Sequence, residues 1–145
     1  MSRKNYIRNW FSNMLEFDHP LQHQGIEYRT VENFYQAMKT DKDDLETRRR
    51  IAAASPYEAK RLGRTVRLRS DWAEIHLAVM ETALRHKFAP GTSWHARLMA
   101  TGDEEVVEWN NWGDRYWGRE VGDGRGENHL GRLLMKIRDE WRKAE

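Results

Sequence analysis

The sequence predicts a mainly α fold with minor β (an α+β chain) built as one domain over residues 1–145. Three observations carry that expectation. Several helix starts are marked by capping residues, the C-terminal stretch is strongly amphipathic, and only two short segments have the pattern of strands. A chain of 145 residues is long enough for one hydrophobic core and short for two.

The elements follow in order. Trp10-Phe11-Ser12-Asn13 leads into Leu15-Glu16-Phe17 and a turn-rich Asp18-His19-Pro20. Gly25-Ile26-Glu27-Tyr28 then resumes short alternation, so a small hairpin is expected with its turn near Pro20. Thr30 caps a helix running to about Lys39, with Glu32 in its first turn where the dipole favours an anion. Asp41 to Ala54 is charged and helix-forming. Ser55-Pro56-Tyr57-Glu58 is the clearest helix start, with a capping serine, proline at the first helical position and glutamate three after the cap; Gly63 stops it. Ser70-Asp71 caps a long helix from Trp72 to about Phe88, with Trp72, Ile75, Val79 and Leu84 near one face. Trp94 to Met99 is a short helix ended by Gly102, and Val106-Val107-Glu108-Trp109 is the best strand candidate outside the hairpin. Asn110 to Glu127 is rich in Gly, Asp and Trp. Leu130, Leu133, Leu134, Ile137 and Trp141 then line one face of a last helix, and Trp109 and Trp141 are expected in the core.

Composition excludes several classes of function. The chain has no cysteine, which rules out disulfides, thiolate nucleophiles and cysteine-ligated zinc. Its six histidines are scattered, with His76 and His86 ten apart on one helix, so no metal or other cofactor is expected. No apolar run approaches membrane length, residues 1–9 are polar without a signal-peptide core, and a cytoplasmic location is expected. The 25 Lys and Arg nearly balance the 23 Asp and Glu, a net +2, too even to mark a dedicated nucleic-acid binder. Arg48-Arg49-Arg50 reads as a solvated helix face, with contact to nucleic-acid phosphate as the other reading. No obligate protein partner is evident.

Two constellations bear chemistry. Glu32, Gln36 and Lys39 stand at i, i+4 and i+7, which puts a carboxylate, an amide and an amine on one helix face beside the apolar stripe Val31, Phe34, Tyr35 and Met38. Periodicity alone leaves this an ordinary solvated face. The second is Trp109 to Gly118, continuing through Gly122 to Asn128 at the mouth of the last helix, where glycines allow close backbone approach and a helix start suits a phosphate. It fits no P-loop or dinucleotide fingerprint.

Five segments, in order, resemble the signature blocks of the NADAR (YbiA-like) family: Trp10 to Asn13, Tyr28 to Lys39, Ser55 to Arg64, Trp112 to Gly118 and Asn128 to Met135. Trp10-Phe11 stand where the family commonly has phenylalanine and leucine, and Met14 where an aromatic is common. The resemblance implies a compact, mostly helical fold and an N-glycosidase. Its substrates would be early riboflavin-pathway intermediates, cleaved to ribose 5-phosphate and an aminopyrimidine, or guanine carrying ADP-ribose on its exocyclic amine in DNA or RNA, where the enzyme serves as an antitoxin.

Both substrates are N-glycosides of an aromatic amine, so the ribose can open to an imine that a lysine can attack. On that reading Lys39 is the nucleophile, and Glu32 and Asp114 transfer protons. Trp72, Trp112 and Trp117 are ring-stacking candidates, and Ser12, Asn13, Gln36, Arg115 and Asn128 are polar contacts to substrate. A competing mechanism lets a carboxylate activate water while Lys39 holds phosphate. The rival from another class is a module that binds ADP-ribose or a nucleotide without turning it over; a purely structural protein is a third.

Overall fold

The α1 helix, Val31–Ala37, is the element around which the Asn13–Ala89 unit is built, because every one of its residues is buried. In a computed structural model that describes residues 10–144, this is one of two compact units; the other takes in residues 10–12 and 90–144. The polar start, residues 1–9, lies outside the described residues.

Leading into α1 is a hairpin of β1, Glu16–His23, and β2, Ile26–Thr30, paired antiparallel with Leu21 opposite Tyr28 and His23 opposite Ile26. Its turn is Gln24-Gly25, both at positive φ (53° and 73°), as a type I′ turn requires. The expected turn at Asp18-His19-Pro20 is corrected: those residues lie inside β1, where the register shifts between Glu16 and Leu21. Proline has no N–H to give a ladder, and an irregular stretch of edge strand accommodates it. On β2, Ile26, Tyr28 and Thr30 are buried while Glu27 and Arg29 face out.

Thr30 caps α1, its hydroxyl accepting from Asn33 N–H at 3.0 Å. The Asn33 amide donates to Ile51 O and Ala54 O, both at 2.9 Å, tying α1 to the end of α2, Leu45–Ala53. That helix is shorter than the Asp41–Ala54 span expected, since Asp44 is spent as its cap on Thr47 N–H. Helix α3, Pro56–Gly63, has the expected serine cap, with Ser55 Oγ accepting from Glu58 N–H at 3.1 Å.

Helix α4, Trp72–Lys87, starts where expected, but the Asp71 side chain does not cap it; the carboxylate is held by Arg69 Nε at 2.6 Å. Its fully buried stripe is Met80, Ala83, Leu84 and Lys87. Of the face expected, only Leu84 is fully buried, while Trp72, Ile75 and Val79 are half-buried.

Arg48 departs from its expected solvated face. It is 1% exposed, and its guanidinium donates to Thr40 Oγ1, Thr40 O and Gln24 Oε1 at 3.1, 2.9 and 2.7 Å. It fastens the hairpin tip to the chain after α1, a task its neighbours Arg49 and Arg50, both exposed, do not share.

In the other unit, α5 is Ser93–Ala100, capped by Thr92 and stopped at Gly102. β3, Trp109–Asn110, pairs in parallel with β4, Arg119–Glu120, and α6 is His129–Ala144, with Leu130, Leu134 and Ile137 buried. The strand expected over Val106–Trp109 shrinks to its last residue plus Asn110. Val106 and Val107 are buried, but Val106 O and Glu108 N–H bond the Asn128 side chain, which occupies the place of a neighbouring strand. Trp109 and Trp141 are half-buried rather than core.

Candidate active site

Within the Asn13–Ala89 unit, the polar face of α1 is not solvated. Glu32 is 7% exposed and Gln36 5%, and Gln36 Nε2 donates to Glu32 Oε1 at 2.9 Å across one helical turn. The Glu32 N–H, in the first turn of α1, donates to Asn13 O at 3.1 Å. This places Asn13 beside Glu32, with the Asn13 Nδ2 turned to Met80 Sδ at 3.8 Å. Asn13 Oδ1 and Gln36 Oε1 are buried acceptors with no donor from the protein.

Lys39 lies just past the end of α1, its backbone fixed by N–H to Gln36 O at 3.2 Å and by Arg69 N–H donating to its carbonyl at 2.8 Å. Its amine sits 5.7 Å from the centre of the Tyr35 ring. Trp72 meets Tyr35 edge to face at 5.0 Å, and His76, one turn along α4, lies 6.0 Å from Trp72. Burial pushes the Lys39 amine below the usual lysine range, and Arg64 and Lys60 push the same way; Glu32 opposes them. A half-buried amine with a weakened hold on its proton thus stands on an aromatic wall near a buried carboxylate.

The other unit arranges its residues around Asn110, which is fully buried. Asn110 Oδ1 accepts from Trp112 and Asp114 N–H at 3.3 and 3.0 Å, and its Nδ2 donates to Asp114 O at 2.8 Å. Asp114 Oδ1 in turn accepts from the N–H groups of Tyr116 and Trp117 at 3.1 and 2.9 Å. Trp117 packs edge to face on Tyr116 at 4.9 Å, and Tyr116 lies 4.3 Å from His129. Trp112 is 57% exposed. The Arg115 guanidinium bonds Glu120 and Asp123 at 2.7 and 3.2 Å. Asn128, 1% exposed, has its amide committed to Glu108 N–H and Val106 O, each at 3.0 Å. Ser12 is half-buried.

Of the residues the sequence singled out, Asn13, Glu32, Gln36, Lys39 and Trp72 therefore gather around α1 in one unit. Ser12, Trp112, Asp114, Arg115, Trp117 and Asn128 belong to the other. Sequence reasoning gave Tyr35 only an apolar role and missed His76 and the Lys60–Arg64 pair. His76 was readable as the i+4 neighbour of Trp72, whereas the pressure of α3 cations on Lys39 needs the tertiary fold. Among the described residues, no group of three or more His, Asp or Glu is placed to hold a metal ion, and no helix is long and apolar enough to cross a membrane.

A mostly helical fold that holds an amine just past the end of a helix carrying a buried carboxylate describes a small α+β protein, and comparison narrows it. The NADAR domain model matches residues 2–142. The chain is 38% identical over 133 residues to N-glycosidase YbiA of Escherichia coli (strain K12), an alignment covering 90% of this chain and 79% of that protein. It is 40% identical over 118 residues to a riboflavin biosynthesis protein of Vibrio vulnificus, covering 80% of this chain and 31% of that longer one. Among solved structures, the NMR structure of E. coli YbiA superposes with a TM-score of 0.77 at 36% identity, covering 92% of this chain and 78% of that one. The chain belongs to the NADAR family and has the YbiA-like fold.

Proposed function

We propose that this chain is an N-glycosidase that hydrolyses the C–N bond between a phosphorylated ribose and an aromatic amine, with Lys39 as nucleophile and Glu32 as the proton-transfer group. The carrying observation is a lysine just past the end of α1 whose charged form is disfavoured by burial, together with a carboxylate on α1 held in place by Gln36. An amine attacks only when neutral, so an environment that strips its proton supports this role. The names of the relatives, N-glycosidase and riboflavin biosynthesis protein, support the same reaction class.

In the sequence of steps that fits, Glu32 delivers a proton to the ribose ring oxygen. The bond from that oxygen to the anomeric carbon breaks as the glycosidic nitrogen's lone pair forms an iminium. The Lys39 amine adds to the anomeric carbon, its proton passes to the departing nitrogen, and the aromatic amine leaves. A lysine Schiff base of the opened sugar remains; water adds to it, and the lysine is expelled. One water is consumed and no electron changes hands. Tyr35 and Trp72 form the wall against which a flat ring packs. Asp114 and Asn128, whose polar atoms bond backbone, organise their loops in this reading.

Charge distribution favours a substrate richer in phosphate than a single ribose 5-phosphate. Residues 45–69 hold eight Lys and Arg against two Glu, in a chain whose totals are 25 and 23. Arg49, Arg50, Arg64 and Arg67 there are exposed. Arg50 and Arg67, with Asp44 and Thr47, line a cavity of about 240 Å³. Such a band suits ADP-ribose carried on nucleic acid. The test is release of free amine from a ribosylated aminopyrimidine and from ADP-ribosylated guanine. Lys39→Ala, Lys39→Arg and Glu32→Gln should each abolish turnover while the parent is active; binding of ADP-ribose by the parent without turnover would establish a binding module instead.

A further inference from the structure

Glycine is the least favourable residue in a helix after proline, so Gly63, the last residue of α3, calls for a reason. Backbone torsion does not supply it, because Gly63 is not among the residues at positive φ. Close approach does. A Cβ on Gly63 would stand 1.8 Å from Gln36 Oε1, 2.6 Å from its Cδ and 3.2 Å from its Cβ. The end of the Gln36 side chain occupies the place that a side chain at position 63 would take.

That contact gives the amide its place, and Glu32 decides which way it points. Gln36 is 5% exposed, its Oε1 is buried without a donor, and its Nε2 donates to Glu32 Oε1 at 2.9 Å. With the amide reversed, its oxygen would face the carboxylate, two acceptors together. We infer that Gly63 is a positioning residue for catalysis: the space left by its missing side chain seats the Gln36 amide with its N–H toward Glu32, which aims the Glu32 carboxyl group at the reacting sugar. This rests on the proton-transfer role proposed for Glu32. It extends that role to a residue on another helix that touches no substrate.

The inference makes an unusual demand on Gly63→Ala. The atoms in the way are chiefly the far end of a flexible side chain, and alanine is the better helix former, so the fold should hold while Gln36 swings off Glu32. The experiment measures kcat, KM, Tm and the pH profile of kcat/KM for the parent, Gly63→Ala, Gln36→Ala, the double variant and Glu32→Gln, with a ribose 5-phosphate N-glycoside of an aminopyrimidine as substrate. Gly63→Ala should keep the parent's Tm and lower kcat by roughly 10- to 100-fold, less than loss of a whole proton-transfer group, because Glu32 itself remains. Its KM should stay within about twofold, and the limb of its profile set by Glu32 should move to higher pH, because the carboxyl group has lost the Gln36 N–H. The double variant should match Gln36→Ala within about twofold, because the two act in series. A fall in Tm, effects that multiply in the double variant, or a Glu32 limb unmoved in Gln36→Ala would each overturn the inference. The two levels separate cleanly. An active Glu32→Gln removes the role of Glu32 itself, whereas an inactive Glu32→Gln beside an unaltered Gly63→Ala removes only the part given to Gly63.

Discussion

Asn128→Ala should destabilise the protein strongly, and the size of the loss follows from two hydrogen bonds and one torsion. The Asn128 amide accepts from Glu108 N–H and donates to Val106 O, each at 3.0 Å, where both partner residues are buried. Truncation strands one backbone donor and one backbone acceptor, at about 1–2 kcal/mol each. Asn128 also sits at φ 54°, which asparagine tolerates and alanine resists by about 1 kcal/mol. Together these give a loss of about 3–5 kcal/mol, or roughly 8–15 °C in Tm for a domain near this size. Asn128→Gly loses the same bonds without the torsional cost and should recover about 1 kcal/mol of the loss. Thermal and urea unfolding followed by circular dichroism measure both variants. An Asn128→Ala protein with the parent's Tm and no activity would refute the reasoning and return Asn128 to the substrate.

Three further outcomes follow from charge and chemistry. Because burial lowers the Lys39 pKa, kcat/KM should rise with pH along a limb centred below the ordinary lysine value, and the unfolded chain should bind the extra proton; stability therefore rises with pH between the two pKa values, a rise absent in Lys39→Met. An identical stability profile in the parent and Lys39→Met would contradict the burial. Arg49→Glu with Arg50→Glu should cut activity on ADP-ribosylated guanine in an oligonucleotide about tenfold at low salt and leave the free ADP-ribosylated nucleoside unaffected; equal loss on both would place these arginines outside nucleic-acid contact. Turnover should continue in a strong chelator, and loss restored by one particular divalent ion would overturn the metal-free mechanism.

Much of the helical frame was legible in the sequence because its signals are local. Thr30, Ser55 and the apolar spacing of the last helix act within one or two turns, and each element they mark is present. The hairpin was legible but its turn was not. Asp18-His19-Pro20 carries turn-like composition, yet Gln24-Gly25 supplies the paired positive φ that closes a two-residue hairpin. Arg48 was misread for a similar reason: composition makes three arginines look solvated, while the register of α2 turns the first into a polar cage offered by Thr40 and Gln24. The site residues near α1 were visible as a helical stripe. What the stripe faces, Trp72 and His76 from α4 and Gly63 from α3, comes from contacts distant in sequence that periodicity does not encode.

The lysine intermediate is the central claim, and reductive trapping tests it most directly. Borohydride added during turnover of ADP-ribosylated guanine should reduce the Schiff base to a secondary amine, giving intact protein heavier by one reduced ADP-ribosyl group. Peptide mapping should place the adduct on Lys39, and Lys39→Arg should show none. Confirmed turnover with the protein mass unchanged would contradict the account and leave direct attack by water, activated by a carboxylate, in its place.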